Sequence, residues 1–154
     1  MKVRRSLYDV FVEVVCLLCL IGGAIYLAVV WSSVPAQVPA HYNMAGAVDR
    51  MGSKSSVFII VITNWLCYLL ITVLECFPQC WNTCVTITEE NRARIYRILK
   101  SMIGTTKLVC VVSFTYLTVK ILQGQSLPFV FTLVLLGSLF GSLVFFIVRL
   151  VRAR

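Results

Sequence analysis

His41 is the only histidine of this chain, and shortly after it stand Asn43, Asp49, Arg50, Ser53 and Lys54. Three kinds of chemistry suit those residue types. His41, Asn43 and Asp49 offer donors to a cation, although one imidazole and one carboxylate are too few for a closed zinc site. His41 with Asp49 and Ser53 has the residue types of a hydrolytic triad, but no nucleophile elbow or oxyanion hole is marked. The same groups on an ordered loop also suit recognition of a peptide or other ligand, and the loop can equally be a purely structural cap. No metal and no cofactor is expected.

A second set of chemically able residues lies in apolar surroundings. Asp9 and Glu13, four residues apart, share one helical face. Asn64, Tyr68, Thr72 and Glu75 recur at helical spacing as a polar stripe, which should face a bundle interior because lipid cannot satisfy it. Lys107 falls at a similar depth to Glu13 and Glu75. An ionisable group at the bilayer centre costs roughly 2.5 to 3.5 kcal/mol, so Lys107 is expected to pair with Glu13 or Glu75. A structural ion pair is the expectation, and a proton or ion relay is the alternative. Lys107 and Lys120 are on nearly opposite helical faces and do not line one pore.

The seven cysteines avoid the His41 segment. Cys76, Cys80 and Cys84 would converge only on a helix that persisted past Pro78, and Cys16-x-x-Cys19 lies in an apolar run. Packing as small hydrophobes is expected for all of them, with no disulfide framework.

The elements that must position these groups follow from composition. A hydrophobic fraction of 60%, with 13% charged residues, excludes an ordinary soluble domain. Four apolar runs are long enough to cross a bilayer. The first is too long for a signal-peptide core and carries Asp9 and Glu13, so it is expected to remain as a membrane helix. The expected fold class is an all-α integral membrane protein forming one membrane domain over residues 1–154. Its helices span about 7–31, 57–77, 101–122 and 127–148, with an ordered outer loop at 32–56 and an inner amphipathic segment at 86–100.

The net charge of +8 does not point to nucleic acid, because the cations are distributed by topology. Lys2, Arg4, Arg5, Arg92, Arg94, Arg97, Lys100, Arg149, Arg152 and Arg154 fall in segments an even number of crossings apart. The positive-inside rule therefore puts both termini and the middle connection in the cytoplasm and the His41 loop outside. The lipid bilayer is the first expected partner. Thr86 with Glu89, or Thr88 with Glu89 and Glu90, should cap a helix whose apolar face is Ile95, Ile98, Leu99 and Met102, lying at the inner interface or running on into the third span. Asn91, Arg92, Arg94 and Arg97 then form an inner basic surface that docks on anionic headgroups or meets a cytosolic regulator. Gly137-x-x-x-Gly141 in the fourth run is expected to pack tightly within the monomer, with a homodimer contact as the alternative.

The loop has turn chemistry of its own. Pro35 and Pro39 stop the first helix, Asn43 to Gly46 suits a type I turn, and Gly52 permits a second turn. Ser53, Ser55 or Ser56 is expected to cap the next helix.

The pattern Val34-Pro-x-x-Val-Pro-x-His-Tyr-Asn-x-x-Gly-x-x-Asp-Arg-x-Gly-Ser-Lys54 closely resembles the signature of a family of bacterial membrane domains of unknown function. That domain is also the N-terminal part of SdpI-type immunity proteins. Ile87 to Arg97 is similar, more weakly, to the family's inner-loop segment. The resemblance implies a multi-pass protein of the bacterial cytoplasmic membrane, with Pro39, His41, Tyr42, Asn43, Gly46, Asp49, Arg50, Gly52 and Lys54 as its motif residues. In the SdpI type it implies protection against a secreted peptide toxin and retention of a transcriptional repressor at the membrane. Met51 departs from a position that is often aromatic, and SdpI-type proteins carry more than four helices. Three expectations follow: a receptor or immunity-type protein, a small transporter or channel subunit using Asn64, Glu75 and Lys107, and a metalloprotein or hydrolase centred on His41.

Overall fold

The computed structural model describes residues 3–154, so Lys2, counted above among the N-terminal cations, lies outside the described residues. Four helices carry the fold: α1 (Leu7–Val30), α2 (Val57–Glu75), α3 (Arg92–Leu122) and α4 (Phe129–Arg152). All four are long and apolar enough to cross a membrane. At 1.5 Å per residue the 24 residues of α1 span about 36 Å, against a hydrocarbon core of about 30 Å.

α1 begins where a reciprocal cap allows it. Ser6 Oγ accepts from the Asp9 amide at 3.3 Å, and Asp9 Oδ2 accepts from the Ser6 amide at 2.7 Å. The helix stops at Trp31–Ser33, a 3-10 turn just before Pro35.

The expectation of an all-α fold is corrected between α1 and α2. There the chain forms an antiparallel hairpin of β1 (Gln37–Tyr42) and β2 (Val48–Ser53). Asn43 to Ala47 turns it in three residues: the Asn43 amide donates to Ala47 O at 2.9 Å, and the Gly46 amide to Asn43 O at 2.8 Å. Gly46 has a φ of +83°, the left-handed residue that follows a type I turn in such loops. The prolines and turn formers hid the strands, because Pro39 interrupts the alternation that normally marks one.

α3 is the central helix. It packs against α1, α2 and α4, whereas α1 and α2 barely touch each other. Three apolar layers follow one another along it. At the hairpin end Leu27, Val34, Val38, Val57, Ile121 and Leu122 are buried together. The middle holds Val12, Cys16, Leu20, Tyr68 and Val111. At the other end, which holds the described termini, Trp81, Ile95, Ile98, Leu99, Phe146, Leu150 and Ala153 form the third. We call this the terminal end.

Several expectations change here. Of the two arrangements expected for the amphipathic segment, it takes the one that runs on into the third span, with residues 92–100 as the first turns of α3. Its apolar face is covered by Trp81, whose Nε1 donates to Leu74 O at 2.8 Å, and by α4, so protein takes the place expected of lipid. Thr88 exchanges bonds with Asn91, its amide donating to Oδ1 at 2.8 Å and its hydroxyl accepting from the Asn91 amide at 3.3 Å. Asn91 therefore fills the role expected of Glu89. No serine side chain caps α2, since Ser53 and Ser55 bond each other at 3.0 Å. α2 ends at Glu75, and Cys76, Cys80 and Cys84 do not share a helical face. A Cβ on Gly137 or Gly141 would meet nothing within 4 Å, so these glycines do not pack within the monomer.

Candidate functional site

The structure divides the sequence candidates between two places, one at each end of the bundle. At the hairpin end most of the motif builds architecture. Val38 and Pro39 are buried, and Val38 packs between Leu27 and Val57. Asn43 Oδ1 accepts from the Ala45 and Ala47 amides, each at 3.0 Å, which spends its side chain on the turn. A Cβ on Gly46 would stand 2.1 Å from Leu127 O, while the Leu127 amide donates to Gly46 O at 2.8 Å. The hairpin tip is thus clasped to the α3–α4 connection. Tyr42 reinforces that clasp, donating to Gln125 O at 3.2 Å, and burial pushes its phenol pKa up. Lys54 donates to Trp31 O and lies 4.2 Å above the Trp31 ring, tying the end of β2 to the end of α1. A Cβ on Gly52 would stand 2.8 Å from that of Ala40, so glycine lets the strands approach.

Three motif residues stay outside this framework. His41, Asp49 and Arg50 are exposed, and His41 Nδ1 lies 2.6 Å from Asp49 Oδ1 across the strands. Strand register slips on both sides of His41, which is how it meets Asp49 while standing opposite Arg50. Ser53 pairs with Gln37 at the far end of the hairpin and does not join His41 and Asp49 in a triad. Among the described residues no group of three His, Cys, Asp or Glu is placed to hold a metal.

The other candidate lies in the terminal half of the bundle and is assembled from three helices. Lys107 on α3 is 1% exposed, and its Nζ donates to Glu13 Oε2 of α1 at 2.8 Å and to Glu75 Oε2 of α2 at 3.0 Å. Its third proton faces Thr72 Oγ1 at 3.3 Å. Tyr68 donates to Glu13 Oε1. Lys107 thus meets both carboxylates, where sequence reasoning asked for either one. Farther from the terminal end, Asn64 Nδ2 donates to Val111 O at 3.4 Å and Thr115 Oγ1 at 3.0 Å. Asn64 closes the polar stripe without entering the ionic cluster.

A second ionic layer stands one turn nearer the terminal end. Asp9 accepts from Arg97 through both oxygens at 2.9 Å, with Lys100 at 3.7 Å. Arg97 also donates to Ser6 and to Arg4 O. It is therefore a structural clamp on α1, which removes it from the expected inner basic surface. Asn91 leaves that surface too, because it is buried and holds Thr86 O at 3.1 Å. Arg92 and Arg94 remain exposed there. Sequence reasoning missed the Asp9–Arg97 clamp, although Arg97, Lys100 and Lys107 follow helical spacing opposite Asp9 and Glu13.

A cavity of about 520 Å³ opens beside these layers, with Arg4, Arg5, Asp9, Glu13, Glu75 and Lys100 among its lining residues. Glu13 and Glu75 thus line a cavity while the ammonium between them, on Lys107, stays buried behind them. That arrangement can bind a charged or polar ligand, or hold a proton.

The family model described as Domain of unknown function (DUF1648) matches residues 17–64. Those residues run from the middle of α1 through the hairpin to Asn64, so Glu13, Glu75 and Lys107 lie outside the match. No curated protein and no solved structure matches the chain. The chain is thus similar, over the hairpin and the helices that carry it, to a domain family to which no activity is assigned.

Proposed function

We propose that this chain is a receptor or immunity-type protein of a bacterial cytoplasmic membrane, whose hairpin lies outside the cell and takes an extracellular peptide as an added strand along β2. The observation that carries the reading is the free edge of β2. β1 covers one side of this strand and, among the described residues, no third strand covers the other, on a hairpin clasped at the tip and the base. An unpaired edge on a rigid mount is a template for strand addition, in which main chain supplies affinity and side chains supply choice. His41, Asp49, Arg50 and Met51 are the exposed groups for that choice.

The positive-inside bias supports the orientation, because Arg4, Arg5, Arg92, Arg94, Arg149, Arg152 and Arg154 all belong to the terminal end. The likeness of the Val34 to Lys54 motif to SdpI-type proteins supports a secreted peptide as partner. A cytosolic regulator at Arg92 and Arg94 is part of the same proposal. Cells carrying the wild-type chain should survive a toxic peptide better than cells carrying His41→Ala, Asp49→Ala or Arg50→Ala variants at equal expression. N-methylation along one edge of the peptide should abolish its binding. Protection that is indifferent to all three substitutions would overturn the reading.

A second reading, a small transporter or channel subunit, is favoured by the Lys107 cluster at the wall of a cavity. Flux in liposomes that disappears with Glu75→Ala and ignores the hairpin variants would replace the first reading by this one.

A further inference from the structure

We infer that the cavity at the terminal end is a binding site for a small soluble zwitterion, an ammonium group joined by a short linker to a phosphate or a carboxylate. Removing from its lining every group that the protein already satisfies shows what a ligand would meet. Asp9 is held by Arg97 and the Ser6 amide, and Lys100 is turned toward Asp9 and Val3 O. Lys107 has a partner for each of its three protons, and Glu13 has one for each oxygen. Among the described residues, the exposed Arg4 and Arg5 side chains and Glu75 Oε1 make no hydrogen bond, and Arg5 lies within coulombic reach of Glu13. Two exposed arginines and one carboxylate oxygen without a hydrogen bond thus belong to residues that line one cavity.

The chemistry of those leftovers defines the class. A guanidinium matches the planar oxygens of a carboxylate or the oxygens of a phosphate, and the carboxylate oxygen matches an ammonium. A volume of about 520 Å³ falls in the range of small-molecule sites and far exceeds a bare ion. Depth decides the source. Glu75 Oε1 lies 3.7 Å from the place a Cβ on Gly104 would take, beside Val12, whereas Arg4 and Arg5 precede α1. The ammonium therefore sits deeper in the bundle than the anion. An aminophospholipid in a leaflet presents the opposite order, with phosphate below ammonium, so a soluble molecule entering ammonium first fits and a lipid headgroup does not.

This inference is independent of peptide recognition at the hairpin. It supplies a substrate class for the transport reading, and binding without flux would keep the inference while removing that reading. The test is calorimetric titration of the full chain in nanodiscs free of aminophospholipid, with phosphoethanolamine and β-alanine as joined probes and with phosphate and ethanolamine as halves. At least one joined probe should bind about tenfold or more tighter than either half, the gain of one added charge-assisted contact. Glu75→Gln should lose that advantage, and so should the double variant Arg4→Ala/Arg5→Ala, which lies outside every helix and keeps the fold testable. Hairpin variants should bind as wild type does. The inference is overturned if the joined probes fail to bind in the millimolar range or bind no better than the halves. Binding unchanged by the arginine substitutions overturns it too, and nanodiscs containing phosphatidylethanolamine that alone occupy the site would reassign it to lipid.

Discussion

The two ends of the bundle solve opposite problems with polar groups. At the hairpin end the residues are close neighbours in sequence, and their polar atoms are spent on turns, clasps and strand pairing, leaving His41, Asp49 and Arg50 exposed. In the terminal half, Glu13, Thr72, Glu75 and Lys107 come from three helices and meet through the one buried ammonium. A local motif can lose an exposed side chain without losing its shape, but a buried ionic cluster cannot lose its only cation. An exposed side chain is cheap to alter at the first end, and a buried ionic one is costly to alter at the second.

The largest effect that would break or confirm this contrast belongs to Lys107. Lys107→Met leaves two carboxylates in the bundle without their ammonium and should destabilise by on the order of 3 to 5 kcal/mol, read from unfolding in detergent. Adding Glu13→Gln and Glu75→Gln should restore much of that loss. If Lys107→Met cost no more than a hairpin variant, the contrast would fail.

Gly46→Ala comes next. Its Cβ would collide with Leu127 O at a positive φ, for a cost of about 1 to 3 kcal/mol. The loss should show as faster amide exchange around residues 43–47 and 124–128, with the terminal layer around Trp81 unchanged. Exchange spreading evenly over the chain would mean that the two ends are not separable.

His41→Ala and Asp49→Ala should each change stability by less than about 1 kcal/mol, as befits an exposed pair. A peptide-binding defect in these variants at unchanged thermal midpoint would sharpen the division between recognition and stability.

The smallest effect concerns Tyr42. Its folded-state pKa is raised above the ordinary value near 10 by burial, so its contribution is complete below that value and is lost as pH rises through the higher folded one. Hairpin stability should fall only above about pH 10, and Tyr42→Phe should remove that alkaline step in a pH-resolved exchange experiment.

The four membrane-length helices were legible because bilayer thickness imposes one long apolar signature on each. The Asn43 to Gly46 turn was equally legible, since amide and glycine chemistry is local. The strands beside it were not, because Pro39 and Gly52 break the alternation that Val38 and Tyr42 would otherwise have announced. Depth along each helix suggested that Lys107 meets a carboxylate. That it meets two, and that Arg97 clamps Asp9, depends on the rotation of α1 and α2 about α3, which no single helix encodes. The expected packing of Gly137 and Gly141 within the monomer fails for a related reason: small residues permit a close approach but do not say which helix makes it.

The central place of α3 has a consequence for how the protein is made. Synthesis delivers α1 with Glu13, then α2 with Glu75, two helices that barely touch each other, and only afterwards α3 with Lys107. Until that third helix arrives, neither carboxylate has its ammonium, and the first half of the chain lacks the surface against which it packs. Assembly therefore has a built-in order, in which α3 arrives as the keystone.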